Sequence, residues 1–115
     1  PIKYDKNLPG YKEIVKMAGG HGGENLPKAQ AIKDATMAHF ILKNYRKGST
    51  FIHFNGTYHS NNFEGIAWYL KQANPDLKIV TIASVEQEKM DSLNEDNIGI
   101  ASFVVCTQET MTKTH

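Results

Sequence analysis

Residues 50 to 84 constrain the fold most. TFIHFN (50–55) and LKIVTIAS (77–84) are rich in β-branched and aromatic side chains, which suit a pleated strand. Between them a helix is expected from about Asn62 to Ala73. Asn61 followed by Glu64 has the spacing of a capping box, and Asn74-Pro75 stops the helix. Strand, helix, strand is a βαβ unit, so the two strands should lie parallel with a right-handed crossover. LKIVTIAS shows little polar alternation, which predicts burial on both faces. A further strand is expected at IGIASFVVC (98–106), after the acidic, solvated stretch VEQEKMDSLNEDN.

Upstream of the unit, the pattern predicts a long helix from Leu26 to Lys47. Asn25 can cap it, and Pro27 is tolerated in the first turn. Gly48 can end it after Lys43, Arg46 and Lys47, which suit the negative helix terminus. A short helix is expected at YKEIVKMA (11–18). The run GGHGG follows, with four of the nine glycines flanking His21. Such a run lets a ligand approach the main chain, or it is a linker; the residues fit both.

The fold class expected is therefore α/β, a small three-layer fragment with a short, mainly parallel sheet of about three strands and two main helices. Residues 1–25 form an irregular glycine-rich lead-in, 26–107 the α/β domain, and 108–115 a polar tail. Parallel sheets want both faces covered, so a missing segment or a second copy should supply cover. The chain starts at Pro1 in the polar stretch PIKYDKNLPG and reads as a piece of something longer.

At 115 residues this is one domain. Thirteen Lys and Arg against twelve Asp and Glu leave a net charge of +1, which gives no electrostatic case for nucleic acid. The single Cys106 excludes an internal disulfide and a CxxC metal site, and in the run ASFVVC it reads as a small buried hydrophobe. No apolar stretch approaches the ~20 residues needed to span a bilayer.

Two places could support chemistry. In a parallel sheet, ligands gather outside the carboxyl ends of the strands, near helix N-termini. The loop NGTYHSNN is placed there, with Gly56 for a sharp turn, the phenol of Tyr58 and the imidazole of His59. Alternatively the loop only caps and packs. On the long helix, Ala31, Ala35, Met37, Ala38, Ile41, Leu42 and Tyr45 share one broad arc. Asp34 falls inside that arc and Gln30 at its edge, four residues apart and so neighbours. A carboxylate facing a core needs a histidine, a metal or a backbone donor as partner, unless it lies in exposed first turns. Since the helix leads into the strand that ends at the loop, Asp34 and His59 are expected to be close. Such a pair would fix the imidazole tautomer. His39 reads as a surface residue, His53 as a satisfied core group, and Glu86 as a site residue at the same end of the sheet.

The stretches AQAIKDATMAHFI, FIHFNGTYHS, KIVTIASVE and IASFVVCT together resemble the carboxy-terminal half of the ChaN-like haem-binding uptake proteins. The matching features are Ala29-Gln30, Asp34 with Met37-Ala38, Gly56 with His59, Glu86 and Thr107, over about residues 27 to 107. The resemblance implies a bacterial, iron-regulated lipoprotein at the cell envelope that binds haem between its sheet and a small helical part, without turnover and across a homodimer. It also implies an absent amino-terminal half. Under this reading His59, Tyr58, Gly56, Asp34, Gln30 and His21 form the cofactor-binding set, with Tyr58 placed by position as the iron's tyrosine ligand. The Gly-x-x-His loop is also similar to that of metal-dependent hydrolases, including TraB-like proteases and erythromycin esterases. On that alternative a divalent metal would use His59, Asp34 and Glu86, with His21 in reserve. A third reading is a structural fragment in which Asp34, Gln30 and His59 hold helix to sheet.

Overall fold

The long helix forms, over Asn25–Asn44, in a computed structural model that describes residues 1–114. It is the second of three α-helices among those residues: α1 is Pro9–Met17, α2 Asn25–Asn44 and α3 Ile66–Ala73. The buried positions of α2 are Pro27, Ala31, Asp34 and Ala38. Their spacing of four, three and four puts them in one stripe down the helix. Three of the four are compact, so neighbouring elements can approach closely, and a carboxylate stands in the middle. Ala38 joins Ile66 and Leu70 of α3 in the core, with Met37, Ile41, Leu42, Tyr69, Leu77 and Ile79 packed around them.

The ends of α2 differ from expectation. Asn25 is the first helical residue and not the cap; Glu24 precedes it and no side chain caps the terminus. The helix stops at Asn44, where the side-chain amide of Asn44 donates to the Phe40 carbonyl and Tyr45 turns extended. Gly48, with φ +86°, belongs to a separate turn closed by Ser49 N–H on the Arg46 carbonyl. The basic residues after Asn44 bury nothing, so no packing extends the helix to Lys47.

Two strands pair: β1, Ile82–Gln87, and β2, Phe103–Gln108, parallel and in register from Ile82 opposite Phe103 to Gln87 opposite Gln108. The mixed α/β class and the parallel pairing are as the sequence suggests, but the partners differ. TFIHFN joins no ladder among the described residues and lies exposed, Phe54 at 90%. Strand propensity reports fit to a pleated neighbour, and without one the apolar run stays unpaired. The first half of LKIVTIAS is also not strand; Leu77 and Ile79 pack on the helical core instead. Cys106, on β2, is half-buried.

Buried Gln87 ends β1 and organises the connection to β2. Its amide nitrogen donates to the carbonyls of Lys89 and Ser92, and its oxygen accepts from Asn94 N–H. The outer face of the sheet shows Ile82, Phe103 and Val105 to solvent. The polar tail returns to the sheet through Lys113, 2.9 Å from Glu86; His115 lies outside the described residues. The radius of gyration is 15.6 Å, above the roughly 13 Å of a compact 100-residue domain, in keeping with this uncovered apolar surface.

Candidate functional site

Asp34 is fully buried, which settles whether it faces core or solvent. Both its oxygens are engaged. Oδ1 lies 2.6 Å from Nδ1 of His59, and Oδ2 accepts the Tyr11 hydroxyl at 2.8 Å. Burial raises the carboxyl above its ordinary range, while the bonds from His59 and Tyr11 pull it partly back. Burial also raises the Tyr11 phenol, and the bond to Asp34 adds to the shift. Tyr11 therefore stays a neutral donor.

The side-chain amide nitrogen of Gln30 lies 2.8 Å from Nδ1 of His59 and 3.5 Å from Nε2. One ring nitrogen cannot both donate to a carboxylate and accept from an amide. The shorter, charge-assisted contact with Asp34 claims Nδ1–H. The lone pair then sits on Nε2, and the Gln30 amide, nearer Nδ1 than Nε2, lies off the axis of that lone pair and leaves it open to a ligand.

Backbone geometry holds His59 in place. Short 3₁₀ turns at Thr57–His59 and Asn61–Phe63 carry the chain past the carboxylate. Asn62 and Phe63 both have φ +59°, uncommon for non-glycine residues, and Asn62 N–H is tied to the Ile100 carbonyl. Gly65 follows at φ +56°. A Cβ there would press into the His59 carbonyl oxygen and come 3.2 Å from Asp34 Oδ2. Gly65 is thus the glycine the site requires. The chain turns at Gly56, whose carbonyl accepts His59 N–H at 3.0 Å, but at φ −67° and with the nearest neighbour for an added Cβ 4.0 Å away the turn does not require glycine.

The expected capping box is also replaced. Glu64 does not reach back to Asn61; its carboxylate accepts Gly10 N–H, 54 residues away, at 2.8 Å. That bond satisfies a free donor in the first turn of α1, where negative charge is favoured. Asn61 Oδ1 is left buried without a hydrogen-bond partner among the described residues. Glu64 and Tyr11 together dock α1 on the loop and on α2.

Of the residues singled out in the sequence, Asp34, Gln30 and His59 converge. Tyr58 points away, 60% exposed, its hydroxyl 3.6 Å from the Met17 sulfur at the end of α1. His21 is exposed in the turns four residues beyond Met17. Glu86 pairs with Lys113, and among the described residues no three His, Cys, Asp or Glu side chains gather as metal ligands. His39 is exposed beside Phe40, and His53 is exposed rather than a core group. Tyr11, Glu64 and Gly65 were not legible from sequence. The only signal for them was that a carboxylate within an apolar arc must find a donor, and that signal names no residue.

The polar cluster lies beside a cavity of about 50 Å³ lined in part by Tyr11, Tyr58, Asn61 and Glu64. A larger, shallower one of about 270 Å³ opens between Ile2, Lys3, Ala35, Trp68 and Tyr69. No described helix is long and apolar enough to cross a membrane.

A scan against family models matches residues 2–70 to the family described as haem-binding uptake, Tiki superfamily, ChaN. The match starts earlier and ends earlier than the stretch on which the sequence resemblance rests. It takes in α1, α2, the loop and most of α3, and hence every residue around Asp34. Neither the curated proteins nor the solved structures yield a match. The family match spans more than half of the chain and includes the whole Tyr11–Asp34–His59 cluster, and the chain belongs to the ChaN-like haem-binding uptake family.

Proposed function

We propose that this chain is a haem-binding domain of a bacterial envelope protein that serves haem or iron uptake. The observation that carries the reading is the imidazole of His59, held at Nδ1 by a buried carboxylate so that Nε2 keeps its lone pair. Ligating histidines are commonly oriented in this way, which fixes the tautomer and raises ligand basicity. Family membership supports the same ligand. Bound haem would supply an iron that protein side chains can ligate. His59 and the exposed phenol of Tyr58 are the donors next to each other in the loop. Gln30 and Asp34 would act through His59, and Gly56 and His21 would flank the ligand's approach.

The donor set fits haem, but neither cavity encloses it. Volumes of about 270 and 50 Å³ fall below the roughly 300–1,000 Å³ of typical ligand pockets. We therefore place haem against an open face that another surface completes, either a second copy of the chain or an amino-terminal half of the same protein. Exposed Ile82, Phe103, Val105 and Phe54 are apolar surface such a partner could cover. On this reading the full-length protein is lipid-anchored at the outer membrane or in the periplasm, and residues 26–107 form its α/β domain.

Titration of the full-length protein with haemin tests the proposal. A Soret band should appear at stoichiometric haemin and be lost in His59→Ala, and Tyr58→Phe will show whether the phenol is an axial donor. Absence of any band from the intact protein removes the reading.

A further inference from the structure

The cavity of about 270 Å³ shares no lining residue with the Tyr11–Asp34–His59 cluster. Trp68, Tyr69, Gln72 and Ala73 border it from α3, at spacings that share one helix face. Ala35 borders it from α2, and Ile2 and Lys3 from the lead-in. Alanine at positions 35 and 73 leaves room that a longer side chain would fill. The lead-in is held across the opening: the Tyr69 hydroxyl donates to the Lys3 carbonyl at 2.5 Å, and the Tyr4 ring lies 5.6 Å from that of Tyr11. Trp68 steadies Tyr69 in turn, edge to face at 4.9 Å.

We propose that this cavity binds a bicyclic aromatic carboxylate. Size, wall chemistry and charge each point to that class. An engineered cavity of about 150 Å³ accepts benzene, so about 270 Å³ suits about two fused rings. The indole of Trp68 and the phenol of Tyr69 offer ring surface, against which a flat aromatic body packs well. A rigid ring system also loses little rotamer freedom on binding. Lys3 is the one charged residue at the rim, and none of the ion pairs among the described residues uses its ammonium. It is therefore available to a carboxylate, while the Gln72 amide can serve as a second donor.

NMR titration of the isotope-labelled full chain with sodium 2-naphthoate tests the proposal. No haemin is present, so the outcome is read separately from that of the haemin titration. Trp68 is the single tryptophan, and its indole N–H gives one identifiable side-chain signal. Saturable shifts are expected at that signal and at the Ala35 and Ala73 amides. They should be half-complete near about 1 mM, as ~13 non-hydrogen atoms at the efficiency of a drug-sized ligand imply. Lys3→Gln should weaken naphthoate about threefold, the scale of an exposed charge contact, while neutral 2-naphthamide binds both proteins alike. Ala35→Leu keeps a strong helix former and should abolish the shifts by filling the cavity. Should that variant fail to fold, Ala73→Leu at the exposed end of α3 fills the same space. No saturable shift at about ten times the expected concentration overturns the proposal, as do shifts confined to the sheet face around Phe103. Unchanged affinity in Lys3→Gln, binding that survives the filled cavity, or octanoate binding as tightly as naphthoate overturns it too.

Discussion

Asp34 and His59 lie 25 residues apart in sequence and 2.6 Å apart in space, a buried carboxylate meeting a loop imidazole. The carboxylate is fully buried, so it depends on donors; the imidazole is half-buried, so its orientation depends on the carboxylate. Around this pair the chain arranges an amide on one side, a phenol on the other, and a glycine that lets the loop pass.

Removing the carboxylate should be costly. Asp34→Ala leaves the Tyr11 hydroxyl and the His59 ring edge without their acceptor and opens a small void on the α2 stripe. Breaking a buried, hydrogen-bonded polar cluster typically costs about 3 kcal/mol. Urea denaturation should show a loss of this order, with Asp34→Asn milder because its side-chain oxygen still accepts one bond. A loss below about 1 kcal/mol for the alanine variant would contradict the burial argument.

The pH dependence of stability follows from the sign of the Asp34 shift. Its folded carboxyl sits above the unfolded range, mainly through burial, so the folded state holds this proton more tightly than the unfolded chain. The contribution is fully present below about pH 4 and is lost as pH rises through the folded value. Asp34→Asn cannot titrate. Relative to it, the wild type should become less stable as pH rises from 4, read from denaturation midpoints at successive pH values. A wild type that gains on the asparagine variant over that range would reverse the sign.

Tyr11 and Tyr69 are both raised by burial, so both hold their protons after ordinary tyrosines have ionised near pH 10. Absorbance titration at alkaline pH should show these phenols ionising late, together with unfolding. Stability should fall as pH climbs past 10, since only the unfolded chain releases those protons readily. Ionisation of all tyrosines before any loss of helix signal would argue against it.

Two glycines should behave oppositely. Gly65→Ala forces a Cβ into the His59 carbonyl at a positive φ, a conflict in backbone that no side-chain rotation can relieve. A cost of more than about 2 kcal/mol is expected, since both strain and the Asp34–His59 geometry are involved. Gly56→Ala meets open space at an ordinary φ and should fall within about 1 kcal/mol of wild type, on the stabilising side if the unfolded chain dominates. Equal effects from the two substitutions would show that the loop is held differently.

Gln87→Ala removes three hydrogen bonds that bind residues 88–94 to the end of β1. With the side chain almost fully buried, a loss of about 2 kcal/mol is expected. Hydrogen exchange at the Asn94 amide should accelerate with it. Unchanged protection at Asn94 would mean that the loop is fixed by other contacts.

The amino-acid sequence by itself determined what local physics controls. Helix periodicity placed α2 and, on it, a carboxylate facing inwards beside Gln30; Asn74-Pro75 stopped α3 where it stops; β-rich segments overlapped β1 and β2, although both strands start five residues later than expected. Such features depend on neighbours three or four positions away, and that range is visible in a linear chain. The tertiary structure alone decided the rest. TFIHFN has strand chemistry but no ladder partner among the described residues, because pairing depends on what lies alongside. Glu64 left the cap it was spaced for and took the Gly10 amide, and Tyr11 rather than Tyr58 met the carboxylate. A buried charge requires a donor but does not specify which one, and only the folding of α1 over α2 brought the phenol within reach.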